Sequence, residues 1–305
     1  MGKVPYLFCR YTAHIDDELL DASGLTQALT EIQGTYFAHG AKAEREGRKD
    51  VVVMRPRQVE IAGETAVTWA IGHVPGQRTV TNYDAANQEI QQRIEADDNI
   101  VHTHILALPR LGVMAINDRV SAMHMGARSA LSRTRSAFRH MAGGSFTFWF
   151  LQPGDVSNVL DQLSLKEYSF TVRRINPTPP GALSAALDAS MEAEGIGVYR
   201  GVSKPMPGGE MHRDEGVIGQ TAELAEGGYG VVGFKGETDA GSVAQIRKPP
   251  FSMEKSENIK QMEKEQPLRV FVEDGEDDEV MASVVAELVR FYGGDDASDI
   301  LEEPA

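Results

Sequence analysis

The chain has 305 residues, 41% of them hydrophobic and 25% charged, the proportions of a soluble globular protein able to bury a sizeable core. No apolar run reaches the roughly 18 residues that a membrane helix needs. Met1-Gly2-Lys3-Val4-Pro5 lacks the apolar core of a signal peptide, and the single cysteine, Cys9, excludes an internal disulfide framework, so a cytoplasmic protein without membrane insertion is expected.

The net charge of −15 argues against nucleic acid until it is divided along the chain. Residues 1–175 carry 19 basic and 19 acidic residues, and residues 176–305 carry 11 and 26. The whole excess belongs to the C-terminal part, so a global charge argument misleads.

Residues 4–11 (VPYLFCRY) combine β-branched and aromatic side chains and predict a strand. Asp16-Asp17-Glu18 precede Leu19-Leu20, and Leu25, Leu29 and Ile32 follow at helical spacing. This predicts a helix with acids at its N-terminal end, which Gly24 leaves as one broken helix or two short ones. A polar stretch over 40–50 leads to an apolar run at 51–54. Residues 58–62 and 65–71, joined by Gly63-Glu64, read as a β-hairpin. Residues 85–96 are polar and helix-forming, with Ile90 and Ile94 on one side.

Residues 100–108 (IVHTHILAL) predict a strand, Pro109-Arg110-Leu111-Gly112 a turn, and 113–116 a second strand. From 121 to 141 the period becomes helical. Met123, Ala127, Ala130, Leu131, Ala137, Phe138 and Met141 mark the apolar side, and Gly143-Gly144 end it. Residues 146–151 (FTFWFL) predict a strand too aromatic to face water, 156–165 a short helix and 168–175 a strand.

The composition shifts at Asn176-Pro177-Thr178-Pro179-Pro180-Gly181. This sets the expected boundary between an N-terminal α+β region, 1–175, and an acidic C-terminal α+β region, 176–292. There, 183–194 read as a helix stopped by Gly195, followed by glycine-rich polar sequence through 205–209. Residues 229–235 and 242–248 pair as a hairpin, and 267–273 form a strand. Residues 280–292 form a helix with Val284, Leu288, Phe291 and Tyr292 in its buried stripe. Residues 293–305 carry five acids and no base and are expected to be a disordered tail. Strands do not alternate regularly with helices, so the expected class is α+β, mainly antiparallel sheets from hairpins with helices packed on one face.

Four features invite chemistry and read more simply as structure. His102 and His104 lie two apart on a strand, so both point the same way and offer two metal ligands. Nothing supplies a third at a recognisable spacing, and packing on a sheet face is the preferred reading, with no metal assigned. Met211-His212-Arg213-Asp214-Glu215 has no partner nucleophile and reads as a hydrated loop. Cys9 sits in an apolar strand as inert core. Gly227, Gly228, Gly230 and Gly233 lack the Lys-Ser/Thr end of a phosphate loop and fit a bulged or twisted strand.

The stretch 119–154 is different, because it holds five arginines and no acid. Arg128, Arg135 and Arg139 fall on one face of a helix, with Arg119 and Arg133 to the side. Ser129, Ser132 and Ser136 add hydroxyl donors on the exposed surface. Such a face can track a phosphate backbone; the alternative is a solvated face paired with acids from elsewhere in the chain. The five arginines are the candidate nucleic-acid-binding residues.

The run ILALPRLGVMAIND and the helix after it resemble the strand–turn–strand–helix unit of the RexA-like proteins of lambdoid phages and of the RdgC-like recombination-associated proteins. Downstream, YSFTVRRINPTPP and GYGVVGFKGETDAGSVAQIRK are similar to segments of families found near prophages and defence islands, with KwaB of the Kiwa defence system a more distant relative. The likeness covers residues 95–275. It implies a homodimeric α+β protein that contacts DNA or acts in phage–host conflict, and it carries no catalytic residue onto any position here. The leading expectation is therefore a non-enzymatic DNA-interacting protein of a prophage or defence locus, without cofactor. The alternative is a protein-interaction component of a defence complex whose acidic C-terminal part engages a basic partner. A metal-dependent nuclease using His102 and His104 comes third.

Overall fold

The structure, a computed structural model of the chain, describes residues 2–40, 50–74, 76–84, 89–97, 99–119, 124–140, 144–150, 155–174, 182–212, 216–227, 229–247 and 267–293. The class is α+β: antiparallel sheet and, among the described residues, six α-helices. None of these helices is long and apolar enough to cross a membrane. The chain divides into two compact units. One comprises Met1–Tyr11, Leu111–Ala115 and Phe148–Ala305, the other Thr12–Arg110 and Ile116–Thr147.

In the first unit the strands run in the order β12 (Val198–Ser203), β11 (Ser164–Arg173), β13 (Gly230–Glu237), β14 (Val243–Ile246), β15 (Leu268–Glu273) and the start of β1 (Lys3–Ile15), each neighbour antiparallel. Alternation sets the faces. Register places Tyr168, Phe170, Phe234, Ile246, Val270 and Phe8 on one side, and all are buried. Two helices cover that side. On α5 (Gly216–Glu226), Thr221 bonds the Tyr168 hydroxyl at 3.0 Å. On α6 (Asp277–Tyr292), Phe291 meets Phe8 edge-on at 6.3 Å.

Two further helices are tied on by carboxylates of α5. Glu226 accepts from the Ser157 N–H of α3 (Asp155–Asp161) at 3.1 Å, and Glu223 from the Ser184 N–H of α4 (Ala182–Ala193) at 2.7 Å. Both acceptors fill donor positions that a helix start leaves open. Charge is also buried here, with partners. Glu287, 1% exposed, accepts from the Thr238 hydroxyl at 2.9 Å and pairs with Arg290 at 3.2 Å. Arg10, 2% exposed, stacks 5.0 Å over the Tyr292 ring. Burial pushes the Cys9 thiol well above its ordinary value, as an inert core cysteine requires.

The composition shift near 176 does not interrupt the sheet, since β11 before it pairs with β12 and β13 after it. β12 forms within sequence that reads as polar and glycine-rich, and α5 forms where no element is expected. β12 is an edge strand with only exposed and half-buried positions, so no apolar alternation marks it. Gly230 serves the strand, because a Cβ there would lie 2.5 Å from a Val172 methyl and 3.0 Å from the Thr171 carbonyl oxygen.

In the second unit, β3 (Tyr36–Phe37), β4 (Val51–Ile61), β5 (Glu64–His73) and β8 (Val101–Leu108) pair antiparallel in the order β8-β5-β4-β3. The β4–β5 turn is centred on Ala62 (φ 52°) and Gly63 (φ 83°), the two positive φ values of a type I′ hairpin, one residue earlier than expected. β4 fuses two expected pieces across a register break between Met54 and Arg57, where Arg55 has φ 49°. That irregularity is what lets the strand hold Pro56. After the 3₁₀ turn Pro109–Leu111, β9 (Val113–Asn117) follows as expected, and β10 (Ser145–Trp149) covers most of the aromatic run.

Three expectations are corrected. Asp16 and Asp17 do not lead a helix; they adopt φ 51° and 65° in a turn that returns the chain as β2 (Glu18–Leu19) against β1, a conformation Asp tolerates. The helix α1 (Ala22–Glu31) starts instead at Asp21, whose carboxylate accepts from the Gly24 N–H at 2.8 Å. Gly24 thus lies in the first turn and breaks nothing. Residues 89–97 are not helical: β7 (Glu89–Asp97) pairs with β6 (Gly76–Asp84) as a two-stranded ribbon. Positions 90 and 94 share a face in a strand as they do in a helix, so their spacing could not choose between them. The expected stretches 41–49, 85–88, 120–123, 141–143, 213–215 and the tail from 294 lie outside the described residues.

Candidate nucleic-acid interface

The arginine-rich segment folds as α2 (Ala127–Arg139). Ala127, Ala130, Leu131, Thr134, Ala137 and Phe138 are its buried side, packed against β4, β5 and β8. The sheet face beneath holds Val53, Trp69, Ile71 and Ile105, all nearly inaccessible. It also holds Thr103, whose hydroxyl donates to the Met125 carbonyl just ahead of the helix. Gly126 at the N-cap offers no side-chain acceptor. Asp118 supplies it from nine residues upstream, accepting from the Ala127 N–H at 3.1 Å and placing a negative charge at the positive end of the helix dipole. Arg139 in the last turn completes the match at the other end.

The buried side dictates what is left outside. Arg128, Ser132, Arg135 and Arg139 are exposed, at i, i+4, i+7 and i+11. The Arg135 Nε donates to the Phe146 carbonyl at 3.3 Å, which steadies one guanidinium against β10. The other two candidates lie elsewhere. Arg133 is half-buried and bonds the Ser129 hydroxyl and carbonyl. Burial draws its pKa down, with Asp50 opposing, and the group remains protonated at neutral pH. Arg119 is half-buried beyond β9, its backbone N–H on Asn117 Oδ1 at 3.1 Å. The exposed face therefore comprises three of the five arginines.

The expected row of serines is corrected as well. Ser132 is exposed, Ser129 is half-buried, and Ser136 is buried. The Ser136 hydroxyl and His39 Nδ1 share a hydrogen bond at 2.8 Å. His39 lies just beyond β3, a partner that no sequence spacing announces. Burial first, and then Arg133, hold its imidazole below the ordinary pKa, against the pull of Asp50. Asp50 in turn sits 3.6 Å from His73 Nδ1. This polar cluster lies on the inner side of α2 and brings charge and hydroxyl groups beneath the arginine helix.

His102 and His104 do share a sheet face, with ring centroids 5.3 Å apart, and His124 adds a third ring 6.0 Å from His102. Burial, then His102 and Arg119, lower the His124 pKa, which favours its neutral imidazole. Among the described residues, no group of three His, Cys, Asp or Glu side chains is arranged to hold a metal ion. Compared with protein-family models and with curated proteins, the chain matches none.

Proposed function

We propose that the chain binds nucleic acid through its phosphate backbone, with Arg128, Arg135 and Arg139 on the exposed face of α2 as the contact surface. The observation that carries this is the single face itself: three exposed guanidinium groups spaced by whole turns, with Ser132 between them, on a helix without an acidic residue. From Arg128 to Arg139 the axial rise is about 16 Å, which equals about five phosphate intervals of one strand measured along the duplex axis. The acidic excess of the chain lies in residues 176–305, outside the segment that carries α2.

Contacts of this kind position the protein without reading bases, and no catalytic step is assigned. The likeness to RexA-like and RdgC-like proteins supports a role in phage–host conflict, as a cytoplasmic homodimer. The test is fluorescence anisotropy with labelled single- and double-stranded DNA at several salt concentrations. The triple variant R128Q/R135Q/R139Q is expected to weaken binding to unrelated sequences alike and to reduce the duplex salt slope by about 2.7, three phosphates at 0.9 each. An absence of wild-type binding at low salt, or an unchanged slope, overturns the proposal and favours a protein partner.

A further inference from the structure

The first unit carries a second gathering of positive charge, built from strands. Alternation in β13 places Val232 and Phe234 on the side covered by α5 and α6, and Lys235 and Glu237 on the opposite side. In β11 the register slips at this level. Leu165 lies opposite Gly236 and Glu167 opposite Lys235, which leaves Lys166 as the inserted residue of a β-bulge. A bulge re-aims a side chain, and here Lys166 lines the same cleft as Lys235. Lys204, directly after β12, closes the third side with its Nζ 3.3 Å from Glu167. Together with Glu237 and Val243 these residues line a cleft of about 390 Å³, within the range of small-molecule sites.

Among the described residues, Lys166 and Lys235 have no carboxylate at ion-pair distance, in a chain with 45 acids and 30 bases. Lys204 already compensates Glu167. With Glu237 also lining the cleft, three ammonium groups face two carboxylates and one net positive charge remains, carried by point charges suited to phosphate rather than to planar bidentate recognition. Glu167 and Glu237 line the same cleft, and their carboxylates would repel the additional phosphates of a polymer. We propose that this cleft binds a phosphorylated small molecule, with a phosphomonoester dianion seated between Lys166 and Lys235.

Isothermal titration calorimetry on the full chain tests this with four probes: adenosine 5′-monophosphate, ribose 5-phosphate, adenosine and a short single-stranded oligonucleotide. The two phosphomonoesters are expected to bind saturably at one site and adenosine not at all. Lys166→Gln and Lys235→Gln should each weaken binding about tenfold, the loss of one charge-assisted contact. Val243→Trp narrows the cleft without changing its charge and should abolish binding while circular dichroism stays unchanged. Undiminished binding in the double lysine variant, or in a folded Val243→Trp variant, overturns the proposal, since diffuse surface charge would then be responsible. So does binding of the oligonucleotide alone, or no phosphomonoester binding up to about 10 mM.

Discussion

The α2 face and the lysine cleft are both cationic, and they differ in every respect that selects a ligand. On α2 the charges are guanidinium groups set a whole number of turns apart along an open surface, with no acid on the helix. In the cleft they are ammonium groups brought together by a bulge and a strand end, with two carboxylates among them. The first pattern repeats along a line, as a polymer backbone does. The second converges on a point, as a single phosphate requires. The arrangement of charge, rather than its amount, separates the two proposals, because long-range attraction is screened and short contacts remain.

The largest effect should fall on the scaffold that presents the arginines. Phe138 is fully buried, its ring 5.1 Å from Phe146. Phe138→Ala is expected to destabilise the protein by about 3–5 kcal/mol, read from urea unfolding. The triple glutamine variant of α2 should stay within about 0.5 kcal/mol per site, as exposed substitutions do. A triple variant that unfolds as early as Phe138→Ala would show the arginines to be structural and remove one side of the comparison.

Next comes the salt response. Between 50 and 200 mM salt, three phosphate contacts account for about a fortyfold loss of duplex affinity. Wild type should show that component and the triple variant should not. The lysine variants of the cleft should leave it untouched, and the arginine variants should leave phosphomonoester binding untouched. Cross-effects in either direction would merge the two sites into one electrostatic surface. The tenfold loss expected from each lysine substitution is the smaller of these two binding effects.

The smallest expected effect concerns pH. His39 has its pKa lowered in the folded state, chiefly by burial. Above the unfolded value near 6.5 both states are neutral and its hydrogen bond to Ser136 costs nothing in protonation. As pH falls below that value the unfolded chain binds the proton first, so stability declines towards the lower folded pKa. His124 contributes with the same sign. Melting temperatures from pH 7 down to about pH 5 should fall less steeply in His39→Gln than in the wild type. An identical slope would mean that His39 binds its proton equally well in the folded and unfolded chain.

Much of the fold was legible where the signal is local. The strand–turn–strand run through Gly112, the β13–β14 hairpin and helices α4 and α6 follow from apolar period and turn residues within short windows. Elements failed to announce themselves where the window was ambiguous. Ile90 and Ile94 suit a strand and a helix equally, β12 has no buried face to alternate against, and the left-handed turn at Asp16-Asp17 looks like a helix start until β2 pairs back on β1. The exposed arginine face was legible for the same local reason. The inward turn of Ser136, the half-burial of Arg133 and the place of His124 beside His102 were not, because each depends on a partner distant in sequence.

The sequence by itself determined the angular order of Arg128, Ser132, Arg135 and Arg139, because an α-helix turns about 100° per residue whatever surrounds it. Only the tertiary structure decided which arc of that helix meets β4, β5 and β8, and hence which arginines reach the solvent. It alone decided the cleft, since Lys166, Lys204 and Lys235 come from separate segments and meet through the register slip of β11 on β13. Period is a property of one backbone, whereas register and burial belong to pairs of segments that only the folded chain brings together.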